Sequence, residues 1–239
     1  MKEIDQIRKL SLWIFFVPFL AVNLCLFIST NHHLLENTFF SVDQIGRSYG
    51  FPFPYFDGSL SISRASRTFP QFLIFKPCMI LTGILLIYYW KKNNSLINIL
   101  NKTAGKKYKF TNFGVLSAIF LMIHCILLGI EIDINIFKLL RRIVLLGFII
   151  FEIIAQGILV YNFYKLKDDL KKLSNEFILK IKICLVSVLA IVAILSLPIL
   201  TNSGNVHFKH ALEWNYFLGV IFFYLLTRVF WKKFKTANL

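Results

Sequence analysis

Six apolar stretches of about twenty residues, near 11–29, 73–90, 112–131, 140–163, 182–201 and 212–230, cover more than half of the chain. In a helix, about 20 such residues match the ~30 Å hydrocarbon core of a bilayer. Within that core, a helix satisfies every backbone polar group internally. The sequence therefore predicts an all-α polytopic membrane protein. Residues 1–239 form a single six-helix transmembrane domain, with no linker to divide them. Charged residues make up 16% of the chain, too few for an ordinary soluble domain of this size.

A net charge of +15 would fit nucleic acid if the basic residues formed one patch, but their positions follow the spans instead. Nineteen of the 27 Lys and Arg residues lie in the tail before span one, in loops two and four and at the C-terminus. Loop two alone carries Lys91, Lys92, Lys102, Lys106, Lys107 and Lys109, and Lys182 is counted with the cytoplasmic loop four. Under the positive-inside rule both termini are expected in the cytoplasm, with loops one, three and five on the other side. The membrane itself is not specified, and no nucleic-acid partner is expected. Residues 1–29 start basic and continue apolar, as a signal peptide does. Their run is long, however, and Ile28-Ser29-Thr30 is a poor cleavage site, so we read a retained span. Cys25, Cys78, Cys125 and Cys184 fall inside spans without C-x-x-C spacing, which fits small packing residues. Trp90, Trp214 and Trp231 lie near span ends and are expected as interfacial anchors.

Residues 30–72 form the one long connection, expected to fold back on the bundle at the non-cytoplasmic face. Its Tyr49–Gly58 segment is too rich in Pro and Gly to continue a helix. Ser59 to Ser63 alternates polar and apolar residues and predicts a short extended piece, with Arg64 and Arg67 following just before the membrane. Span six opens with His207, His210 and Glu213; His210 and Glu213, three apart, share a helical face. Such a face suits a phosphate-bearing headgroup, acid–base work, or a network pinning loop five. No metal and no cofactor are expected, since H-E-x-x-H, Walker, Rossmann and zinc patterns are all missing. There is no G-x-S-x-G elbow either. Ser59, Ser61 or Ser63 with His207 or His210 as base is a further option, and no catalytic residue is assigned.

Inside the membrane, Asn23, His124, Glu152 and Gln156 are the polar residues to explain. Groups like these cost at least ~2.5 kcal/mol at the bilayer centre when charged, so they should face the bundle interior. Glu152 and Gln156, four apart, point the same way. Two arrangements stay open: a His124–Glu152 contact that could do chemistry, and a protonated Glu152 simply hydrogen-bonded to Gln156.

Lys180-Ile181-Lys182, then His210-Ala211-Leu212-Glu213-Trp214, Phe217-Leu218-Gly219 and Tyr224-Leu225-Leu226-Thr227 make up a C-terminal pattern. With Phe53-Pro54-Tyr55, Asp57-Gly58-Ser59, Pro70 and Phe75 of the first loop, and Phe148 to Tyr161, it resembles the damage-regulated autophagy modulator (DRAM) family. Tyr55-Phe56-Asp57-Gly58 and Pro70-Gln71 stand where that family's usual Ile-Ser-Asp-Thr-Gly run and Pro-Glu pair would be. The resemblance implies six spans and work on membrane lipids from the non-cytoplasmic face. That work ranges from autophagy modulation to lipid remodelling of glycosylphosphatidylinositol (GPI) anchors.

The leading expectation is a lipid-binding, lipid-sensing or lipid-remodelling protein. Asp57, Arg64, Arg67, His207, His210 and Glu213 would hold an anionic or glycolipid headgroup. One alternative is a non-catalytic scaffold or regulator that recruits a protein partner for autophagy or signalling. The other is an intramembrane lipid-modifying enzyme using His124 and Glu152.

Overall fold

A computed structural model describes residues 2–41, 53–103, 105–130, 134–201 and 204–232, and all regular structure among them is helical. Helix α1 (Lys2–Thr30) is followed by a 3-10 turn at His32–Leu35 and two short helices, α2 (Pro54–Asp57) and α3 (Ile62–Arg67). Then come α4 (Gln71–Leu100), α5 (Lys109–Leu127), α6 (Asn135–Lys165), the one-turn α7 (Lys167–Leu170), α8 (Glu176–Thr201) and α9 (Val206–Phe230). Five of these, α1, α4, α5, α6 and α8, are long and apolar enough to cross a membrane. The chain is thus a multi-pass integral membrane protein. Helix α9 has 25 residues, but Glu213, Asn215 and Arg228 keep it outside that set.

Short connections make sequence neighbours pack antiparallel. Each long helix lies on the next and α9 returns to α1, so α1, α4, α5, α6, α8 and α9 close a ring. Small residues let the helices approach, as lipid supplies no hydrophobic drive between them. Gly114 of α5 shows this: a Cβ there would overlap the indole of Trp90 on α4. The second turn of α1 meets the last turn of α9, where Arg228 donates to the Arg8 carbonyl (3.4 Å). At that same end the α7–α8 connection clips the end of α9. Asn175 N–H donates to Phe230 O (2.9 Å) and Lys232 N–H to Leu173 O (3.0 Å).

The structure corrects three expectations. Trp90, Trp214 and Trp231 are not interfacial anchors: all are buried inside the bundle, whereas Trp13 is 58% exposed. Lys182 is not a rim cation but a fully buried side chain. Ser59 to Ser63 is not extended throughout, because the Ser61 hydroxyl accepts the Arg64 N–H (3.2 Å) and starts α3 at Ile62. Tyr49 to Pro52 and Glu131 lie outside the described residues. Helix α4 runs to Leu100, past the apolar stretch that ends at 90; there Leu96 and Ile97 are buried, and Asn94 and Asn98 bond the Lys106 carbonyl.

Candidate functional site

The first loop is built around two local devices. Pro54 sits at the start of α2, where its fixed φ suits a helix and its missing N–H costs nothing. The Asp57 carboxylate then accepts the N–H groups of Phe53 and Ser59, both at 2.8 Å. Gly58 ends the turn in the left-handed region at φ 58°. Slight burial pushes the Asp57 carboxyl up, but the bonds from Ser59 and Phe53, with the nearby His207, outweigh this and hold it below the usual carboxylate range.

This folded loop is clamped onto α9. Trp214 Nε1 donates to Leu60 O (2.7 Å), Asn215 Nδ2 donates to Tyr55 O (2.6 Å), and the His210 ring lies 2.9 Å from Gly58 O through Nδ1. A carbonyl only accepts, so Nδ1 carries the proton and Nε2 of the neutral ring is left as an acceptor. The Tyr55 ring packs 4.9 Å from the Trp214 ring, centroid to centroid. A second attachment reaches α1. Tyr55 OH donates to Asn23 Oδ1 (3.1 Å), and Ser29 Oγ donates to Ala65 O (3.0 Å). Asn23 of α1 thus ties the loop to that helix.

The six residues singled out in the outer regions thus come to one end of the bundle, in different states. Both Asp57 oxygens are engaged within α2. Glu213 faces the Ser63 N–H in the first turn of α3, where a carboxylate complements the helix dipole. Arg64 and His207 are exposed, His210 is half-buried, and Arg67 is half-buried with its carbonyl near Gly129 of the third loop. Arg64 is close enough to His210 for their charges to interact, as His207 is to Asp57.

The interior polar residues form a separate network. Glu152 of α6 accepts from Ser117 Oγ on α5, from Tyr224 OH on α9 and from Gln156 Nε2 (3.0 Å), and all four residues are essentially buried. Gln156 also donates to Val220 O (3.3 Å). One turn along α9, Thr227 pairs with Tyr89 OH of α4 (3.2 Å) and with Lys182 Nζ of α8 (2.7 Å). Lys182 Nζ also sits 3.9 Å from the centre of the Phe223 ring. His124 is not among the partners of Glu152; it lies beside Arg141. Of the two arrangements the sequence left open, the structure has the Glu152–Gln156 bond and not the His124–Glu152 contact.

Sequence reasoning missed Ser117, Tyr89, Tyr224, Thr227 and Lys182. A signal for Lys182 was present: Leu179, Val186 and Leu189 lie three before, four after and seven after it, and all are buried. Among the described residues no three His, Cys, Asp or Glu side chains converge. What the outer rim offers chemically is an exposed guanidinium and imidazole beside carboxylates that already have backbone partners.

The fold defines the class as an α-helical multi-pass integral membrane protein. No protein-family model, curated protein or solved structure matches the chain.

Proposed function

We propose that the protein binds the headgroup of a membrane lipid at the rim formed by α2, α3 and the start of α9. In this proposal α9 is a sixth span, the lysine-rich end with both termini is cytoplasmic, and the rim is on the opposite face. The count of basic residues at the two ends supports the orientation. The observation that carries the binding proposal is the clamp itself. It holds Arg64 and His207 exposed at one rim while Asp57 and Glu213 are engaged by backbone N–H groups. Those two acids are then held locally, and the Arg64 guanidinium is left for an anion with the His207 ring at the same rim.

A planar guanidinium pairs two phosphate oxygens at once, which favours Arg64 as the main contact. His210, its Nδ1–H held by the Gly58 carbonyl, would offer Nε2 as an acceptor to a hydroxyl or ammonium of the headgroup, and His207 would add a second ring. Phe53 and Phe56, 50% and 84% exposed and stacked on each other, suit the headgroup region next to such a phosphate. The resemblance to the DRAM family, with its lipid-linked and autophagy-linked members, points the same way and is part of the proposal. In it, the Glu152 network is packing that fixes the ring.

Mass spectrometry of lipid retained by the purified protein tests the binding. The proposal expects the R64Q/H207Q double variant to lose a phosphate-bearing lipid that the wild type keeps. Identical lipid profiles from two equally folded samples would remove the rim from any headgroup role.

A further inference from the structure

The geometry points to a second lipid site, at the opposite end from the clamp: a groove on the outside of α4 and α5 that takes one anionic glycerophospholipid. The groove has a volume of about 580 Å³, and Lys91, Lys107, Asn112 and Ile119 of its lining are exposed. Its mouth is lined by Lys91, Asn94 and Lys107, and its floor by Val115, Leu116 and Ile119 of α5. Charge sits at one end and hydrocarbon at the other, in the order of a phospholipid headgroup and the start of its chains.

Three observations make this a formed site instead of a generic basic surface. First, the loop that carries Lys107 is pinned. Asn94 and Asn98 both donate to Lys106 O (3.1 and 2.8 Å), and Asn94 Oδ1 accepts from Tyr108 N–H (2.9 Å) and Thr111 Oγ1 (3.0 Å). Second, Gly105 adopts φ 71° in open space, so the turn into this loop leaves the mouth uncrowded. Third, the charge is of one sign. No Asp or Glu occurs between Asp57 and Glu131, while Lys91, Lys92, Lys102, Lys106, Lys107 and Lys109 all fall in that interval. A zwitterionic headgroup gains little from such a mouth, whereas an anionic one meets two exposed ammonium groups and no carboxylate among the residues that line the groove.

This site is independent of the clamp and does not rest on the function proposed for it. Its test uses the full-length protein in detergent, titrated with phosphatidylserine or phosphatidylcholine and followed by native mass spectrometry. Wild type should take up one phosphatidylserine in preference to phosphatidylcholine. K91Q/K107Q should weaken that uptake about tenfold, and K165Q/K171Q, equal in charge but outside the groove, should not. R64Q/H207Q should leave it unchanged. A phosphatidylserine with a photoreactive group near the top of its chain should label Val115, Leu116 or Ile119. Equal loss in both lysine pairs would mean a diffuse rim field and overturn the site, as would labelling confined to other helices or no preference for phosphatidylserine.

Discussion

Gly58 is the position where the clamp leaves least room, and replacing it with Ala tests the clamp quantitatively. Its φ of 58° lies in the left-handed region, which costs an L-residue roughly 1–2 kcal/mol. An added Cβ would also land on the carbonyl of His207, with the His207 Cα close behind. That obstacle is backbone, so no side chain can swing aside. Overpacking of this kind costs roughly 1–3 kcal/mol more. G58A should therefore weaken the docked loop by roughly 2–5 kcal/mol. Gly105 supplies the control. Its φ is 71° but nothing lies within 4 Å of where a methyl would stand, so G105A should lose only the roughly 1–2 kcal/mol of the backbone term, and only locally. Hydrogen–deuterium exchange reads the difference, since 2 kcal/mol speeds exchange from a locally opened state about thirtyfold. G58A should raise exchange across 53–60 at least that much, while G105A leaves those amides as in wild type. Wild-type protection of 53–60 in G58A would show that Gly58 and His207 are not in close contact.

Further consequences concern the interior and the turn. Glu152→Ala strands Ser117, Tyr224 and Gln156 without their acceptor and should cost about 1–3 kcal/mol, seen as a lower melting temperature in detergent, while E152Q keeps an acceptor and loses less. Equal melting of E152A and wild type would remove the network from the packing account. Lys182→Met replaces a buried amine with an apolar chain of similar length while Tyr89 and Thr227 keep their mutual bond, so thermal stability should hold or rise. A drop of many degrees would contradict a Lys182 buried without a carboxylate partner. Because the Asp57 carboxyl titrates below its ordinary value in the fold, its contribution is present above the unfolded value near 3.8 and fades as pH falls through the lower folded value. Melting measured from about pH 6 down to pH 3 should show an acid loss in wild type that D57N lacks, and parallel curves would refute the turn.

The helices were legible because hydrocarbon demands long apolar runs, and these stand out against loops as charged as Lys91 to Lys109. The order in which they pack was less so. In a membrane, lipid-facing and bundle-facing residues are both apolar, so Ile119 and Ala118 look alike in sequence, although one is 39% exposed and the other buried. The same ambiguity hid the tryptophans: an indole at a span end fits an interfacial belt or an interior slot, and contacts far off in sequence, such as Gly114 opposite Trp90 or Leu60 O beside Trp214, decide between them. That His210 and Glu213 share a face was legible from their spacing; that the first loop docks beside them was not, since it rests on bonds such as the one from the His210 ring to Gly58 O. The tasks of Asp57 and Glu213 were not, because a short turn and a short helix gave no periodic signal that their N–H groups would need carboxylate partners. Lys182 was misplaced because charge counting treats every lysine at a boundary alike, without asking what shares its helical face.

The central claim is that a lipid headgroup sits against the loop clamped on α9. An experimental density map of the protein in nanodiscs made from its native membrane tests it most directly. The account predicts phosphate density within hydrogen-bonding distance of the Arg64 guanidinium, flanked by the His207 and His210 rings, with acyl density descending beside Phe53 and Phe56. A map in which the clamp is intact but Arg64 reaches only into solvent, with no lipid ordered at that rim, would contradict it.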